Sequence, residues 1–399
     1  MLDVFSPYDH DSLHLKNRII RSGVYEGRCD TEGFPSASYI DFYRELAKNE
    51  VGGIITGFAF ISKEGRAMQP RQAGIDHPDK IPYFRKMTAA VHQYDCPVFL
   101  QIAHTGRQTL KRATGMNPRG ASNKSSVYFR GKPITLTTEE VRRRIQDFAE
   151  AACLAREAGF DGVQLHSAHG YLIHQFILPA VNNRRDEFGI DKASGIGTAF
   201  LGQIIKATRE KCGDDFPLMV KISGDVDLKS GFPGNHFEAL LRFLERMKVA
   251  AIEVSYGTMD HALNIFRGDI PESVILKHNP VMISRNLIRR EINKIVLRNY
   301  FIKKLKPFTP AYNLEYASIA KKICEIPVIS VGGFRGFDEI LQAIQGGKTD
   351  LVGMARPFIC EPDLMKKMKI NGYYKSECIN CNICSVMCDS ENETRCYNS

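Results

Sequence analysis

Eight short apolar runs rich in β-branched residues recur along the 399-residue chain, and segments with helical spacing separate them. Runs that stay apolar, without a polar residue at every second position, are typical of parallel strands covered by helices on both faces. Eight such repeats favour a closed (β/α)8 barrel over an open doubly wound sheet, which rarely needs that many strands. The sequence therefore predicts an α/β fold of the TIM-barrel type. The predicted strands are 18–24, 51–60, 97–103, 162–166, 217–223, 251–256, 327–333 and 351–356.

The clearest predicted helix lies between the third and fourth strands. Thr137 and Glu140 have the spacing of a capping box, in which each side chain bonds to the backbone of the other residue. Apolar residues then recur on one helical face until Gly159, a residue typical of helix ends. These apolar residues are Val141, Ile145, Phe148, Ala152 and Ala155.

Composition excludes several classes of protein. With 43% apolar and 25% charged residues, the chain is neither disordered nor collagen-like. No stretch approaches the roughly 20 uncharged apolar residues that span a bilayer, and the first residues lack the pattern of a secretory signal. We therefore expect a soluble, cytoplasmic protein without a membrane span.

Positive charge is concentrated in one segment. Eight Lys and Arg residues lie between Arg285 and Lys306 against one acid, Glu291, and this segment carries +7 of the formal net charge of +9. Nucleic-acid binding usually requires charge spread over a face with aromatic platforms, so we expect no nucleic-acid partner. The segment could instead bind an acidic partner or an anionic substrate tail such as a coenzyme A ester, or it is a solvated helix that caps the barrel.

The chain divides into two predicted parts. Residues 1–365 are expected to form the barrel, with an insertion near 257–310 that is too long for an ordinary βα connection. Residues 366–399 are expected to form a separate cysteine-rich segment, because five of the eleven cysteines lie there.

Polar residues gather where the predicted strands end, which is where barrels of this class place their function. Gly332 and Gly333 would let backbone amides approach an anion, and Arg356 supplies a charged fork, so the last two strands predict a phosphate site. Gln101 and Lys221 suit the pyrimidine side of a reduced flavin, which carries negative charge. The alternative is a lysine that reaches solvent beside a buried amide.

The strongest local motif lies at the end of the fourth predicted strand, in the stretch Gln-Leu-His-Ser-Ala-His-Gly-Tyr at 164–171. His166 and His169 are three residues apart and could converge on one substrate oxygen. Tyr171 is protonated at neutral pH, because an unperturbed phenol has a pKa near 10, and it could donate a proton. A His pair is also typical of metal sites, but no third ligand lies at a suitable spacing.

Taken together, these motifs resemble the old yellow enzyme family of FMN-dependent oxidoreductases. The similarity runs from Leu-Lys-Asn-Arg at 15–18, through the His pair and Tyr171, to the stretch 350–357. It implies FMN at the C-terminal face of the barrel, with Tyr171 as the proton donor to the carbon α to an activating carbonyl or nitro group that His166 and His169 orient. The implied flavin-binding residues are Ser22, Gly23, Val24, Gln101, Lys221, Gly332, Gly333, Ala355 and Arg356.

The activity implied by this resemblance is that of an ene-reductase. The flavin would take a hydride from a donor such as NAD(P)H and pass it to the β-carbon of an α,β-unsaturated carbonyl compound, including enoyl-CoA esters. Two alternatives are an amine dehydrogenase or demethylase like trimethylamine dehydrogenase, and an electron-transfer subunit of a complex. A small-molecule substrate is expected, and assembly into a homo-oligomer is left open.

The last cysteines form a second motif. Cys378, Cys381, Cys384 and Cys396 resemble the cluster segment of 2,4-dienoyl-CoA reductase and trimethylamine dehydrogenase, larger relatives that carry a 4Fe-4S centre beside the FMN. Four thiolates suit either an iron-sulfur cluster or zinc, and a neighbouring flavin favours the cluster. Cys388 is a fifth thiol that could replace Cys384 or Cys396.

The larger relatives continue into nucleotide-binding domains, which we do not expect here. No glycine fingerprint of a dinucleotide-binding unit follows a predicted strand; Gly195 and Gly197 lack the third small residue, because position 200 is Phe. We therefore expect either that NAD(P)H docks directly over the flavin or that a separate electron-donor protein feeds electrons through the cluster.

Overall fold

The computed structural model, which describes residues 3–398, closes eight parallel strands into a barrel. Each strand pairs with the next, and the last returns to pair with the first. Across this closing seam Val352 N donates to Arg18 O and Ser22 N donates to Met354 O, both at 2.9 Å. The predicted (β/α)8 fold is confirmed. The strands are β1 (Ile19–Arg21), β2 (Gly53–Ile55), β3 (Val98–Ala103), β4 (Gly162–Ser167), β5 (Leu218–Ser223), β6 (Ala251–Ser255), β7 (Val328–Val331) and β8 (Leu351–Met354).

Inward-facing side chains divide the barrel interior into layers. The layer nearest the N-terminal ends of the strands is apolar, and the next layer towards the C-terminal ends is polar, because alternate residues of each strand point inward. The apolar layer consists of Ile20, Ile55, Phe99, Met219, Ala251, Ile329 and Leu351. The polar layer contains Gln101, Gln164, Lys221 and Glu253, all of them buried.

A β-hairpin that was not predicted covers the bottom of the barrel. Its strands Tyr8–His10 and Leu13–Leu15 are antiparallel. Tyr8, Leu13 and Leu15 pack against the apolar layer, which would otherwise face water. Strands of three residues are too short for an alternating pattern to stand out in a sequence.

Eight helices follow the strands and cover the outside of the barrel. The helix predicted from the capping box is α3; Glu140 N donates to Thr137 Oγ1 at 3.2 Å and Thr137 N donates to Glu140 Oε2 at 2.8 Å, so the prediction is confirmed. The helices are α1 (Ala37–Lys48), α2 (Ile81–His92), α3 (Thr138–Glu157), α4 (Ala199–Cys212), α5 (Gly234–Arg246), α6 (Leu314–Ile323), α7 (Phe337–Gln345) and α8 (Leu364–Asn371). Helical segments outside this ring are Lys111–Thr114, Leu172–Ile177, Glu272–His278, Leu287–Val296, Arg356–Cys360 and Ile383–Met387.

Several predicted strands are longer than the observed ones. The predicted ranges 18–24, 327–333 and 351–356 continue past the last residues that join the sheet, and the predicted range 51–60 consists of β2 and a separate short strand, Ala59–Phe60, that pairs with β3. The residues just past these strand ends leave the sheet and line the cleft described below.

The insertion between β6 and α6 has an apolar cluster of its own. Its helix Glu272–His278 packs against the helix Ile383–Met387 of the cysteine-rich segment, so the two regions cover the C-terminal end of the barrel together. The members of the cluster are Ile275, Leu276, Met282, Leu297, Phe301 and Val386. The cysteine-rich segment is also tied to the barrel by an ion pair of 2.6 Å between Arg28 and Glu393.

Within residues 3–398 no helix is both long and apolar enough to cross a lipid bilayer.

Replacing Thr137 by Ala is expected to lower the free energy of unfolding by about 1 kcal/mol, because two backbone N–H groups at the start of α3 lose or loosen their partners. Urea titration followed by ellipticity measures the change. The matched control is Thr135→Ala, an exposed threonine of the neighbouring strand Ile134–Thr135. Equal unfolding midpoints for the two variants would show that the cap contributes no stability.

Candidate active site

An open cleft lies at the C-terminal end of the barrel, with about 1700 Å³ of space between its walls when the adjoining open solvent is included. Strand ends form its floor, and the insertion and the cysteine-rich segment form its roof. Every residue that the sequence assigned to flavin binding or catalysis lies in its wall: Ser22, Gly23, Val24, Gln101, His166, His169, Tyr171, Lys221, Gly332, Gly333, Ala355 and Arg356. Of the predicted metal ligands, Cys384 also lies in the wall, whereas Cys378, Cys381 and Cys396 lie outside it.

A chain of hydrogen bonds crosses the floor of the cleft. Gln101 Nε2 donates to Gln164 Oε1 at 2.6 Å, and Gln164 Nε2 donates to Glu253 Oε2 at 2.8 Å. Lys221 Nζ donates to the other oxygen of Glu253 at 3.2 Å. Lys221 is therefore buried and paired, and the alternative of a lysine that reaches solvent is wrong. Hydrogen bonds to Glu253 and Gln164 hold the Lys221 ammonium group and the Gln101 amide in place. Both side chains therefore have fixed positions relative to a ligand on the floor of the cleft.

The glycines after β7 allow close approach of two backbones. Gly332 and Gly333 have φ values of +128° and +88°, which favour glycine. A Cβ atom at Gly332 would lie 2.5 Å from the ring of Tyr312, and one at Gly333 would lie 2.7 Å from Ala311 N. The end of the insertion thus lies directly over this turn, and side chains are excluded from it.

Two arginines give this end of the cleft a positive charge. Arg356 donates to the side chain of Asn382 and, at 2.9 Å, to the backbone oxygen of Arg267; Arg335 donates to Asn380. Burial, and then the charge of Arg356, lower the pKa of Arg335. In the part of the chain that the structure describes, neither guanidinium pairs with a carboxylate, so the site is suited to an anion.

The two histidines contact each other in the wall of the cleft. His169 Nδ1 and His166 Nε2 are 3.2 Å apart, and His169 Nε2 is 2.9 Å from Ser255 Oγ. Burial lowers the pKa of both imidazoles well below its ordinary value, and the charge of Lys221 lowers each further. Both rings are therefore neutral at pH 7, and each carries one N–H donor. The predicted convergence on one oxygen differs from this arrangement, in which the rings point at each other.

Tyr171 lies against the His pair. Its ring centroid is 4.6 Å from that of His166 and 5.5 Å from that of Phe58. Burial raises the pKa of the phenol, and the nearby Cys388 and Asp389 raise it further. Tyr171 thus keeps its proton over the physiological pH range.

Two cleft residues were missed by the sequence reasoning. His261, in the insertion, is buried with both ring nitrogens unpartnered among residues 3–398. Arg335 lies two residues after Gly333, but the sequence analysis assigned only Arg356 to the phosphate site. For Arg335 the signal was present in the stretch Val-Gly-Gly-Phe-Arg, whereas no spacing in the insertion identifies His261.

Asp389 is a third cleft residue that was not predicted. Its carboxylate accepts hydrogen bonds of 2.7 Å from Gln69 Nε2 and from Asn279 Nδ2. Burial raises the pKa of this carboxyl group to about 7. The thiol of Cys388 lies 3.7 Å from Asp389 Oδ1.

The predicted metal ligands are not gathered into one site. Among residues 3–398 no three His, Cys, Asp or Glu side chains converge closely enough to hold a metal ion. Cys384 is buried, and burial raises the pKa of its thiol to about 11, to which the neighbouring Cys378 and Cys381 contribute. The thiol of Cys396 instead contacts Cys360.

The C-terminal cleft of this (β/α)8 barrel brings together two arginines, a paired lysine on the floor and a His pair beside a tyrosine, the groups that the resemblance to FMN-dependent oxidoreductases assigned to one site, with Arg335 in addition. The chain belongs to the NADH:flavin oxidoreductase / NADH oxidase family, whose sequence model matches residues 3–267. This confirms the resemblance to the old yellow enzyme family.

Similarity to individual proteins extends over almost the whole chain. It is 28% identical to an NADH oxidase of Thermoanaerobacter brockii, over 96% of this chain and 53% of the relative, and 28% identical to a cinnamate reductase of Clostridium sporogenes, over 95% and 54%. The chain thus spans about half the length of these relatives. The structure of an old yellow enzyme homologue from Zymomonas mobilis has the same fold, with a TM-score of 0.72 and 23% identity over 95% of this chain and 96% of that one.

Asp389→Asn is expected to stabilise the protein more at alkaline than at acidic pH. Because the pKa of Asp389 is about 7 in the folded protein and about 4 in an unfolded chain, folded protein holds the proton more tightly, and the wild type loses stability as the pH rises from about 4 to about 7. Asparagine removes this loss. The difference in Tm between variant and wild type should therefore increase from about pH 5 to about pH 8.

Thermal unfolding at both pH values tests this, with Asp214→Asn as the control because the Asp214 side chain is 90% exposed. A Tm difference for Asp389→Asn that is the same at both pH values contradicts the assignment.

Proposed function

We propose that this chain reduces the activated carbon–carbon double bond of α,β-unsaturated carbonyl compounds, enoyl-CoA esters among them, with FMN as its resident cofactor and NAD(P)H as an electron source. One observation carries the proposal: a neutral His pair and a protonated tyrosine share a cleft with an anion site and a floor-mounted cation. The name of the cinnamate reductase relative, which refers to an unsaturated acid, agrees with this substrate class.

The cleft fits FMN by three features. Gly332 and Gly333 lie in the cleft wall with the guanidinium groups of Arg335 and Arg356, which pair with no carboxylate among residues 3–398, and Arg335 Nε is buried without a partner in the same range. The hydroxyl of Ser22 is likewise buried without a partner in the described part of the chain. Lys221 and Gln101 supply hydrogen-bond donors on the floor of the cleft, which is the third feature. The residues that we propose to hold FMN are Ser22, Gly23, Val24, Gln101, Lys221, Gly332, Gly333, Ala355 and Arg356, with Arg335 added. The chemistry that FMN supplies when bound is hydride transfer from a reduced donor to an electrophilic carbon.

The His pair binds and polarises the substrate carbonyl. Because both imidazoles are neutral at pH 7, an N–H group can donate to the carbonyl oxygen without a net charge in the buried wall. An oxygen between His166 Nε2 and His169 Nδ1 would replace their mutual 3.2 Å contact. Donors of this kind stabilise negative charge that develops on oxygen by about 3 kcal/mol.

Tyr171 provides the proton for the carbon α to the carbonyl. Its phenol stays protonated because the ring is buried and the neighbouring Cys388 and Asp389 oppose the phenolate. The packing of the ring against His166 places donor and carbonyl-binding group on the same side of the cleft. His261, across the roof, adds a neutral imidazole with free nitrogens to the substrate space.

The activity is tested by anaerobic turnover of enones, nitroalkenes, enoyl-CoA esters and tertiary amines, with NADH, NADPH and dithionite compared as reductants. We expect reduction of the enones or enoyl-CoA esters. Oxidation of amines without any alkene reduction would contradict the proposal.

Among variants, His166→Ala and His169→Ala are each expected to lower kcat/KM for an enone about 100-fold or more, because a donor to the developing charge is lost. Tyr171→Phe should lower kcat by a similar factor, since no proton is delivered. Flavin content, read from the visible spectrum, should stay at the wild-type value in all three. His14→Ala is the control, because this side chain is exposed and lies at the opposite end of the barrel. Enone reduction that survives both histidine substitutions would refute the binding role.

A second candidate, an amine dehydrogenase or demethylase, is favoured by one observation. Asp389 presents a carboxyl group in a wall that also contains Tyr25, Phe58 and Tyr128, and such a wall suits a cationic amine. The amines in the substrate panel distinguish this activity.

We also propose that residues 366–399 form an iron-sulfur segment, in which Cys378, Cys381, Cys384 and Cys396 bind a 4Fe-4S cluster that receives electrons. The donor set fits such a cluster in its chemistry, because it offers four thiols, and Cys378 and Cys381 are close enough to Cys384 to raise the pKa of its thiol. Zinc bound by the same thiols is the alternative. Cys388 and Cys360 are further thiols of this region.

Cys381→Ser is expected to remove iron and the broad visible absorbance from anaerobically purified protein while FMN remains. Iron, sulfide and zinc analysis together with the spectrum measures this. Cys153→Ser, on α3 away from the segment, is the matched control. Stoichiometric zinc in place of iron in the wild type, or full iron content in the variant, would overturn the ligand set.

For the cellular setting we propose a cytoplasmic enzyme, which the eleven free thiols support because a reducing compartment preserves them. The proposal also includes a separate protein as electron donor and assembly of the chain into a homo-oligomer. Gel filtration coupled to light scattering measures the oligomeric state.

A further inference from the structure

The helix Leu287–Val296 in the insertion has two faces of different character. One face is buried: the amide of Asn293 donates to Met282 O at 2.7 Å, and the following residues Leu297 and Phe301 belong to the apolar cluster that roofs the cleft. The other face carries large aliphatic side chains in water. Leu287 and Ile288 are each 75% exposed, and Ile283, Ile292 and Ile295 are at least half exposed. We call these five residues with Arg285, Arg289, Arg290, Lys294 and Arg298 the basic ridge.

Three arginines of the basic ridge have no ionic partner. Lys294 and Arg298 pair with Glu291 and Glu272, whereas no carboxylate among residues 3–398 pairs with Arg285, Arg289 or Arg290. Arg289 and Arg290 lie in the first turn, which contains no acid. Cations at this end oppose the helix dipole. The arrangement therefore costs the helix stability, and it leaves positive charge available for a ligand.

The chemistry of the basic ridge selects its occupant. A second copy of the chain would bring the same unpaired arginines against each other in a two-fold interface, which is repulsive. A nucleic acid would require polar contacts and aromatic platforms, whereas the five exposed apolar side chains of the basic ridge are aliphatic. A surface that is both anionic and penetrable by aliphatic side chains is that of a bilayer containing acidic lipids.

We propose that the basic ridge is a docking site for anionic membranes, with the helix lying parallel to the bilayer surface. Leu287, Ile288 and Ile292 enter the boundary between headgroups and acyl chains, and Arg285, Arg289 and Arg290 pair with lipid phosphates. Because the opposite face of the same segment roofs the cleft, docking places the cleft beside the lipid surface. The site does not depend on the proposed activity.

The proposal is tested by co-sedimentation of the purified full chain with sucrose-loaded vesicles of phosphatidylcholine alone or mixed with phosphatidylglycerol. We expect binding to the mixed vesicles that weakens as salt is added. Changing Arg285, Arg289 and Arg290 together to Gln should weaken it roughly 100-fold at low salt, since each cation near an anionic surface contributes about fivefold. The double variant Leu287→Ser with Ile288→Ser should also bind more weakly. Its residual binding should depend on salt concentration as steeply as that of the wild type.

Matched controls use residues away from the basic ridge. Lys192, Lys206 and Lys348 changed together to Gln remove the same charge from other exposed positions, and Ile370→Ser removes an aliphatic side chain that is 80% exposed. Both controls should bind mixed vesicles like the wild type, and all variants should keep the wild-type flavin content and a Tm at or above the wild-type value. The proposal is overturned if the wild type does not sediment with mixed vesicles, or if the charge control weakens binding as much as the arginine variant. It is equally overturned if the Leu287 and Ile288 substitutions instead dissociate a homodimer.

Discussion

The pairing of β1 with β8 is the contact on which the site depends. The two strands belong to opposite ends of the sequence, yet Ser22 N donates to Met354 O at 2.9 Å as β1 ends. Closing the sheet in this way leaves no free strand edge and fixes all eight C-terminal strand ends in one ring. Close packing at the seam explains Gly353, since a Cβ there would lie 2.2 Å from the hydroxyl of Ser22. The proposed flavin-lining and phosphate-holding residues are neighbours only because this seam closes.

The layered interior separates stability from chemistry. The apolar layer and the hairpin below it exclude water from the bottom of the barrel. The layer above buries an ion pair and two amides, a costly arrangement unless every group is hydrogen-bonded. Here Gln101, Gln164, Glu253 and Lys221 satisfy one another in a single chain. The layer thereby provides a rigid polar floor, which suits the placement of a planar ligand better than flexible side chains at the rim.

Much of the fold and the site could be predicted from local signals. The eight strands follow from apolar runs, and the residues at strand ends follow from the rule that barrels gather them at one face. The site residues outside the β/α repeats could not be predicted in this way. His261 reaches the cleft only because the insertion folds back over the barrel, and Asp389 only because the cysteine-rich segment packs on the insertion through Asn279. Neither contact has a periodic signature. The orientation of the His rings depends on Ser255 on another strand, which spacing within 164–171 does not reveal.

The long sequence separation across the seam has a consequence for synthesis. A nascent chain can make the apolar runs of β1 to β7 and the helices between them, but the ring of strand ends does not exist until β8 has left the ribosome. Ser22 and Arg356, which line the same cleft, are separated by 334 residues of sequence (356 minus 22) and are therefore made far apart in time. Cofactor loading must therefore follow translation of nearly the whole barrel, and until then the unsealed edges of β1 and β7 are open to pairing with other chains.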